Sequence, residues 1–109
     1  MNTISENKLE LEQTIDELGY GSLRVSIFNK PTENRDEWQT RIEYDSETNE
    51  YKVYSLADRA SLMGKVRSYS DYQDAVDDFL KKLKLTVEYN KLRVRQNKNP
   101  EYQSPLWDE

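Results

Sequence analysis

Ser70-Asp71-Tyr72-Gln73-Asp74-Ala75-Val76-Asp77-Asp78-Phe79-Leu80-Lys81-Lys82-Leu83 is the stretch that orders the rest of the chain. Ser70 and Gln73 have the spacing of a capping box, in which two side chains satisfy free backbone N–H groups at a helix start. Asp71 and Asp74 place negative charge at the positive end of the helix dipole. Tyr72, Ala75, Val76, Phe79, Leu80 and Leu83 share one face at the 3.6-residue period. The spacing therefore predicts a helix from 71 to about 83. Asp77 and Asp78 precede Lys81 and Lys82 by four residues, which is the spacing of solvated ion pairs on its polar face.

Beyond Leu83 the pattern supports two conformations. A continuing helix keeps Val87 and Val94 on the stripe but places Leu85, Tyr89 and Leu92 on the opposite face. Alternation from Leu83 through Tyr89, then Leu92 and Val94, would instead make a hairpin turning at Asn90-Lys91. That turn is chemically weak, because Lys lacks the ease of Gly at positive φ. No Gly or Pro interrupts residues 65–99, so the reading favours one helix ending before Pro100, roughly 40 Å long. Its second apolar side needs a covering surface, and Leu85, Tyr89 and Leu92 are candidates for a homodimer contact.

Upstream, Thr3 and Glu6 form another capping box, and Leu11, Ile15 and Leu18 make the stripe of a short helix that Gly19 and Gly21 end. Leu23–Phe28 alternates as a strand, and 29–37 is a polar loop containing Pro31. Trp38, Thr40, Ile42 and Tyr44 form the next alternating face. The turn Asp45-Ser46-Glu47-Thr48-Asn49-Glu50 joins it to Tyr51–Tyr54, giving a hairpin with an acidic tip. Residues 56–64 read as a loop with a helical turn before a short strand, 65–69. The fold class expected is α+β: an N-terminal helix over 3–18, an antiparallel β-meander of three to four strands over 22–69, and a long C-terminal helix packed on one face. Residues 1–98 form a single domain in this reading, and 99–109 an extended tail that Leu106-Trp107 docks back as a packing anchor.

Composition closes many chemistries. The 109 residues include no Cys and no His, which removes disulfides, thiolate nucleophiles, Cys-based metal sites and the commonest general base. The serines have no imidazole partner, and no phosphate-cradling glycine loop is present. The acidic tip lacks the glycine and terminal glutamate of a calcium loop. The chain reads as a non-enzyme with no cofactor and no metal. The polar start lacks a signal-peptide apolar region and no stretch would span a bilayer, so the expected location is cytoplasmic, with no membrane partner.

Charge is segregated. Residues 1–80 hold 17 acidic and 9 basic side chains, residues 81–98 hold seven basic ones against Glu88 alone, and the whole chain has a net charge of −5. Fields of this kind steer charged partners together. The candidate partner-binding residues are Glu43, Tyr44, Asp45, Glu47, Glu50 and Tyr54: a row of carboxylates beside tyrosines, which make rigid contacts at little entropic cost. Glu10, Asp16 and Glu17 join the row if the first helix lies adjacent. A solvated acidic surface is the plain alternative. The basic stretch 81–98 suggests nucleic acid, but the acidic body repels phosphates.

The segment Leu18–Phe28, with Tyr51-Lys52-Val53-Tyr54 and the Tyr72-Gln73-Asp74-Ala75-Val76 helix start, resembles the small acidic α+β immunity proteins of bacterial polymorphic toxin systems. The resemblance lies in layout and covers about half the chain. It implies a protein that neutralises a cognate toxin by binding, without catalysis; the acidic row, separately, suits a basic surface on that partner. The alternatives are a phage-encoded inhibitor of a nucleic-acid enzyme that mimics DNA charge, and an assembly subunit that self-associates through its C-terminal helix.

Overall fold

In the computed structural model, which describes residues 4–107, the stretch after Leu83 is helical: α2 runs unbroken over Tyr72–Arg95. At 24 residues it is roughly 36 Å long. Ala75, Val76, Phe79, Leu83, Val87 and Asn90 form its buried stripe. The cap falls one residue later than Ser70. The Asp71 carboxylate accepts the Asp74 N–H at 3.3 Å, which couples the cap to the dipole, and Gln73 turns instead to Asp77. At the far end Asn97 takes a left-handed φ of 60°. The Asn97 and Lys98 N–H groups then close on the Val94 and Arg93 carbonyls, a Schellman stop before Pro100.

Helix α1 (Ile4–Glu17) buries Asn7, Leu11 and Ile15. Leu18, expected on that stripe, is 50% exposed because the helix has already ended. Gly19, at φ 78°, donates to the Asp16 carbonyl and Tyr20 to that of Ile15, which unwinds the chain there. The Thr3 cap lies outside the described residues.

Four strands follow: β1 (Val25–Ile27), β2 (Thr40–Asp45), β3 (Glu50–Leu56) and β4 (Leu62–Tyr69), in the order β1-β2-β3-β4. The last three form the expected antiparallel meander, but β1 pairs parallel to β2, so the sheet is mixed. The twelve residues between β1 and β2 supply the length that a parallel return requires, without the usual helix. Strand β4 begins at Leu62, three residues before the expected Lys65. It passes an irregularity at Gly64, whose φ of 74° suits a residue without a side chain.

The core lies between the sheet and the helices. Ile42 and Val53 meet Phe79, Leu83 and Val87, and Leu11, Ile15 and Leu23 extend the cluster. Tyr102 and Trp107 belong to the same cluster, Trp107 being 1% exposed at the end of a 3-10 turn (Pro105–Trp107). A polar latch holds this returning segment. The fully buried Asn90 amide donates to the Thr86 carbonyl and to Glu101 Oε1 (2.9 and 3.0 Å), and its oxygen accepts the Glu101 N–H at 2.7 Å. Trp107 Nε1 donates to the Tyr102 carbonyl, and the Tyr102 hydroxyl accepts the Arg24 N–H.

Candidate functional site

The β2–β3 register opposes Tyr44 to Tyr51, Glu43 to Lys52, Arg41 to Tyr54 and Asp45 to Glu50. Side chains alternate across a sheet, so the candidate residues divide between two faces. Arg41, Glu43 and Tyr54 share the face turned away from α2, and Tyr44 shares the other with Tyr51.

On the outer face the structure corrects the expected row. Glu43 and Tyr54 are buried, not displayed. They surround Arg41, which has no exposed surface and every N–H engaged. Nε donates to Glu43 Oε2 (2.9 Å) and the Tyr54 hydroxyl (3.1 Å), and Nη1 to Gln39 Oε1 and the Asn34 carbonyl. Nη2 donates to the carbonyls of Lys30 and Glu33. The Tyr54 hydroxyl in turn donates to Glu43 Oε2. The physical reason is the loop 28–39, which folds over this face and brings three carbonyls to one guanidinium fork. Burial, reinforced by the Glu43 carboxylate, raises the Tyr54 phenol above its ordinary range.

At the tip, Asp45, Glu47 and Glu50 reach solvent to different degrees. Asp45 Oδ1 accepts the Glu47 N–H at 3.0 Å, and that bond, with help from Lys52 at 3.4 Å, holds its carboxyl below the usual aspartate value. Glu47 and Glu50 form no ion pair among the described residues. The Tyr44 hydroxyl donates to Asn49 Oδ1, with Asn49 in a left-handed turn conformation at φ 55°. An open groove of about 340 Å³ runs beside the tip, lined by Phe28, Glu43, Tyr44, Asp45, Glu47 and Lys52 among others.

Behind the acids stands a group of four half-buried rings. Tyr44 and Tyr51 have centroids 5.0 Å apart, Tyr51 and Tyr72 5.5 Å, and Phe28 lies 6.2 and 6.3 Å from Tyr51 and Tyr72. Phe28 is brought there by a positive φ of 56°, rare for a bulky residue, which its N–H bond to the Ile42 carbonyl sustains. Desolvation raises the Tyr51 and Tyr72 phenols, Tyr51 further through Tyr44 and Asp71, Tyr72 through Glu10 and Tyr51. Helix α1 therefore brings Glu10 within electrostatic reach of the rings.

The hairpin end thus sets the carboxylates of Asp45, Glu47 and Glu50 beside half-buried tyrosine rings. The family model for Immunity protein 59 matches residues 4–108. The chain belongs to this immunity-protein family. Its role is the neutralisation of a toxin, and its partner is a toxin protein. No curated protein and no solved structure matches it significantly.

In this immunity protein the structure brings Tyr44, Asp45, Glu47 and Glu50 together at one end of the hairpin and withdraws Glu43 and Tyr54 into the support beneath. Sequence reasoning missed Phe28, Tyr51 and Tyr72 as members. A six-residue turn already opposes Tyr44 to Tyr51, so that pair was readable; Tyr72, on an apolar helical stripe, carried no separate signal. Among the described residues no group of three or more carboxylates is placed to hold a metal ion, and no helix is long and apolar enough to cross a membrane.

Proposed function

We propose that this immunity protein neutralises its toxin by stoichiometric binding, with no chemistry of its own, and that the contact is the hairpin end of the sheet. Tyr44 and Tyr51 supply the rigid apolar centre, and Asp45, Glu47 and Glu50 supply the rim that faces basic groups on the toxin. Glu43 and Tyr54 act from within, keeping the strand pair in register under the tip. The observation that carries this reading is the ring cluster of Phe28, Tyr44, Tyr51 and Tyr72, left half-buried beside the hairpin tip, where Glu47 and Glu50 form no ion pair among the described residues. Interface anchors are typically such aromatic groups inside a polar rim.

The test uses protection and kinetics together. Cells expressing the cognate toxin survive when this chain is co-expressed. Asp45→Asn with Glu47→Gln and Glu50→Gln slows association in low salt, and Tyr51→Ala speeds dissociation. Association that ignores both salt and the triple neutralisation overturns the proposed site. Protection lost by removal of a catalytic step, with no complex formed, overturns the binding mechanism.

A further inference from the structure

At the opposite side of the molecule β4 and the C-terminal half of α2 frame a groove of about 370 Å³, walled by Trp38, Leu56, Met63, Leu85 and Tyr89 with Lys82 at its margin. Leu85, Tyr89 and Leu92 stand 52, 49 and 45% exposed along α2, at the i, i+4, i+7 spacing that a helix normally buries. Beside them β4 ends the sheet, so its outer backbone edge is unpaired within the sheet, and residues 62–68 are all exposed. An apolar stripe, a cavity and an open strand edge thus lie side by side.

Charge decides what such a surface receives. Residues 81–98 carry seven basic side chains against Glu88 alone. Lys81 precedes Leu85 by one helical turn, and Lys65 and Arg67 are exposed on β4, Arg67 within side-chain hydrogen-bond reach of Tyr69. Two carboxylates nearby are already engaged: Asp78 accepts the Tyr69 hydroxyl at 2.7 Å, and Glu101 is held by Asn90. A second copy docked here would bring two strongly cationic segments face to face. Antiparallel pairing of two β4 edges centred on Val66 would likewise oppose Lys65 to Arg67, and like charges opposite one another destabilise a sheet. A nucleic acid would leave the aliphatic walls uncovered while meeting a chain of net charge −5.

We infer that this groove is a second docking surface, separate from the hairpin end, and that it takes an acidic extended segment of a protein partner, with one large apolar side chain in the cavity and its backbone along β4. Recognition then combines an anchor between Met63, Leu85 and Tyr89 with carboxylates on Lys82 and Arg67.

The probe is a synthetic peptide alternating Glu and Leu around a central Phe, titrated into the full-length, isotope-labelled protein and followed by amide chemical shifts. Saturable shifts confined to 63–69 and 82–92 are expected, weakening as salt rises. Leu85→Glu, and separately Lys82→Glu with Arg67→Glu, weaken binding at least tenfold; these exposed substitutions leave the spectrum of the folded core intact. Tyr51→Ala and the triple hairpin variant leave peptide affinity unchanged, which separates this inference from the proposed toxin contact. No saturable binding overturns it, as does equal binding of the peptide with Lys for Glu. So does tighter binding of a thymidine oligonucleotide at the same residues, or a concentration-dependent dimer that Leu85→Glu abolishes.

Discussion

The loop 28–39 and the segment 99–107 are both irregular, and both are fastened by one fully buried polar side chain reaching from a regular element. They are fastened on different terms. Arg41 brings a charge into the interior, and nothing less than full engagement of its N–H groups, with Glu43 as counter-charge, makes that tolerable. Asn90 is neutral, makes three bonds and shares the work with the apolar burial of Tyr102 and Trp107. The loop over the outer face is thus held by polar geometry, and the returning segment mainly by area removed from water.

Breaking the charged fastening has the largest expected effect. Arg41→Ala leaves Glu43 buried without its partner and frees three carbonyls, costing about 3–5 kcal/mol by denaturant unfolding. Arg41→Lys fails to restore the loop, because an ammonium cannot make the fork. Trp107→Ala follows at about 3 kcal/mol, with faster hydrogen exchange in 99–107 and none in 28–39. Asn90→Ala costs about 2 kcal/mol, since Glu101 loses its partners while Trp107 stays packed. An Asn90 effect exceeding that of Trp107 would reverse the ranking of area over latch.

Each fastening also contains a tyrosine whose phenol is raised, chiefly by burial: Tyr54 beside Arg41, and Tyr102 in the returning segment. A group with a folded value above its unfolded one contributes stability that is fully present below the unfolded phenol value. That contribution is lost as pH rises through the folded value. Stability should therefore hold to about pH 10 and decline above it. Phenolate absorbance should show Tyr54 and Tyr102 ionising above the ordinary phenol range. The smallest effect on stability belongs to the tip: Glu47→Gln with Glu50→Gln stays within about 0.5 kcal/mol, while toxin association slows. A large loss of stability there would show that the tip supports the fold.

Legibility followed the range of the forces. The α2 stripe, the hairpin register and the acidic turn were readable, because each arises among residues three to ten apart. Tyr44, Asp45, Glu47 and Glu50 were recognisable as tip residues for the same reason. Glu43 and Tyr54 were read as part of the same binding surface, since alternation tells which face a side chain takes but not what later covers that face. Arg41 gave no signal at all, being one charged residue in an alternating strand.

The sequence by itself determined the helices, the three-strand meander and the division of charge, because hydrophobic period, turn chemistry and net charge are properties of adjacent residues. Tertiary structure alone decided the parallel entry of β1, the burial of Arg41 and Glu43, the Asn90–Glu101 latch and the meeting of Phe28 with Tyr51 and Tyr72. Each of these depends on segments distant in the chain satisfying one another's polar groups or filling one another's gaps, and no local pattern records that.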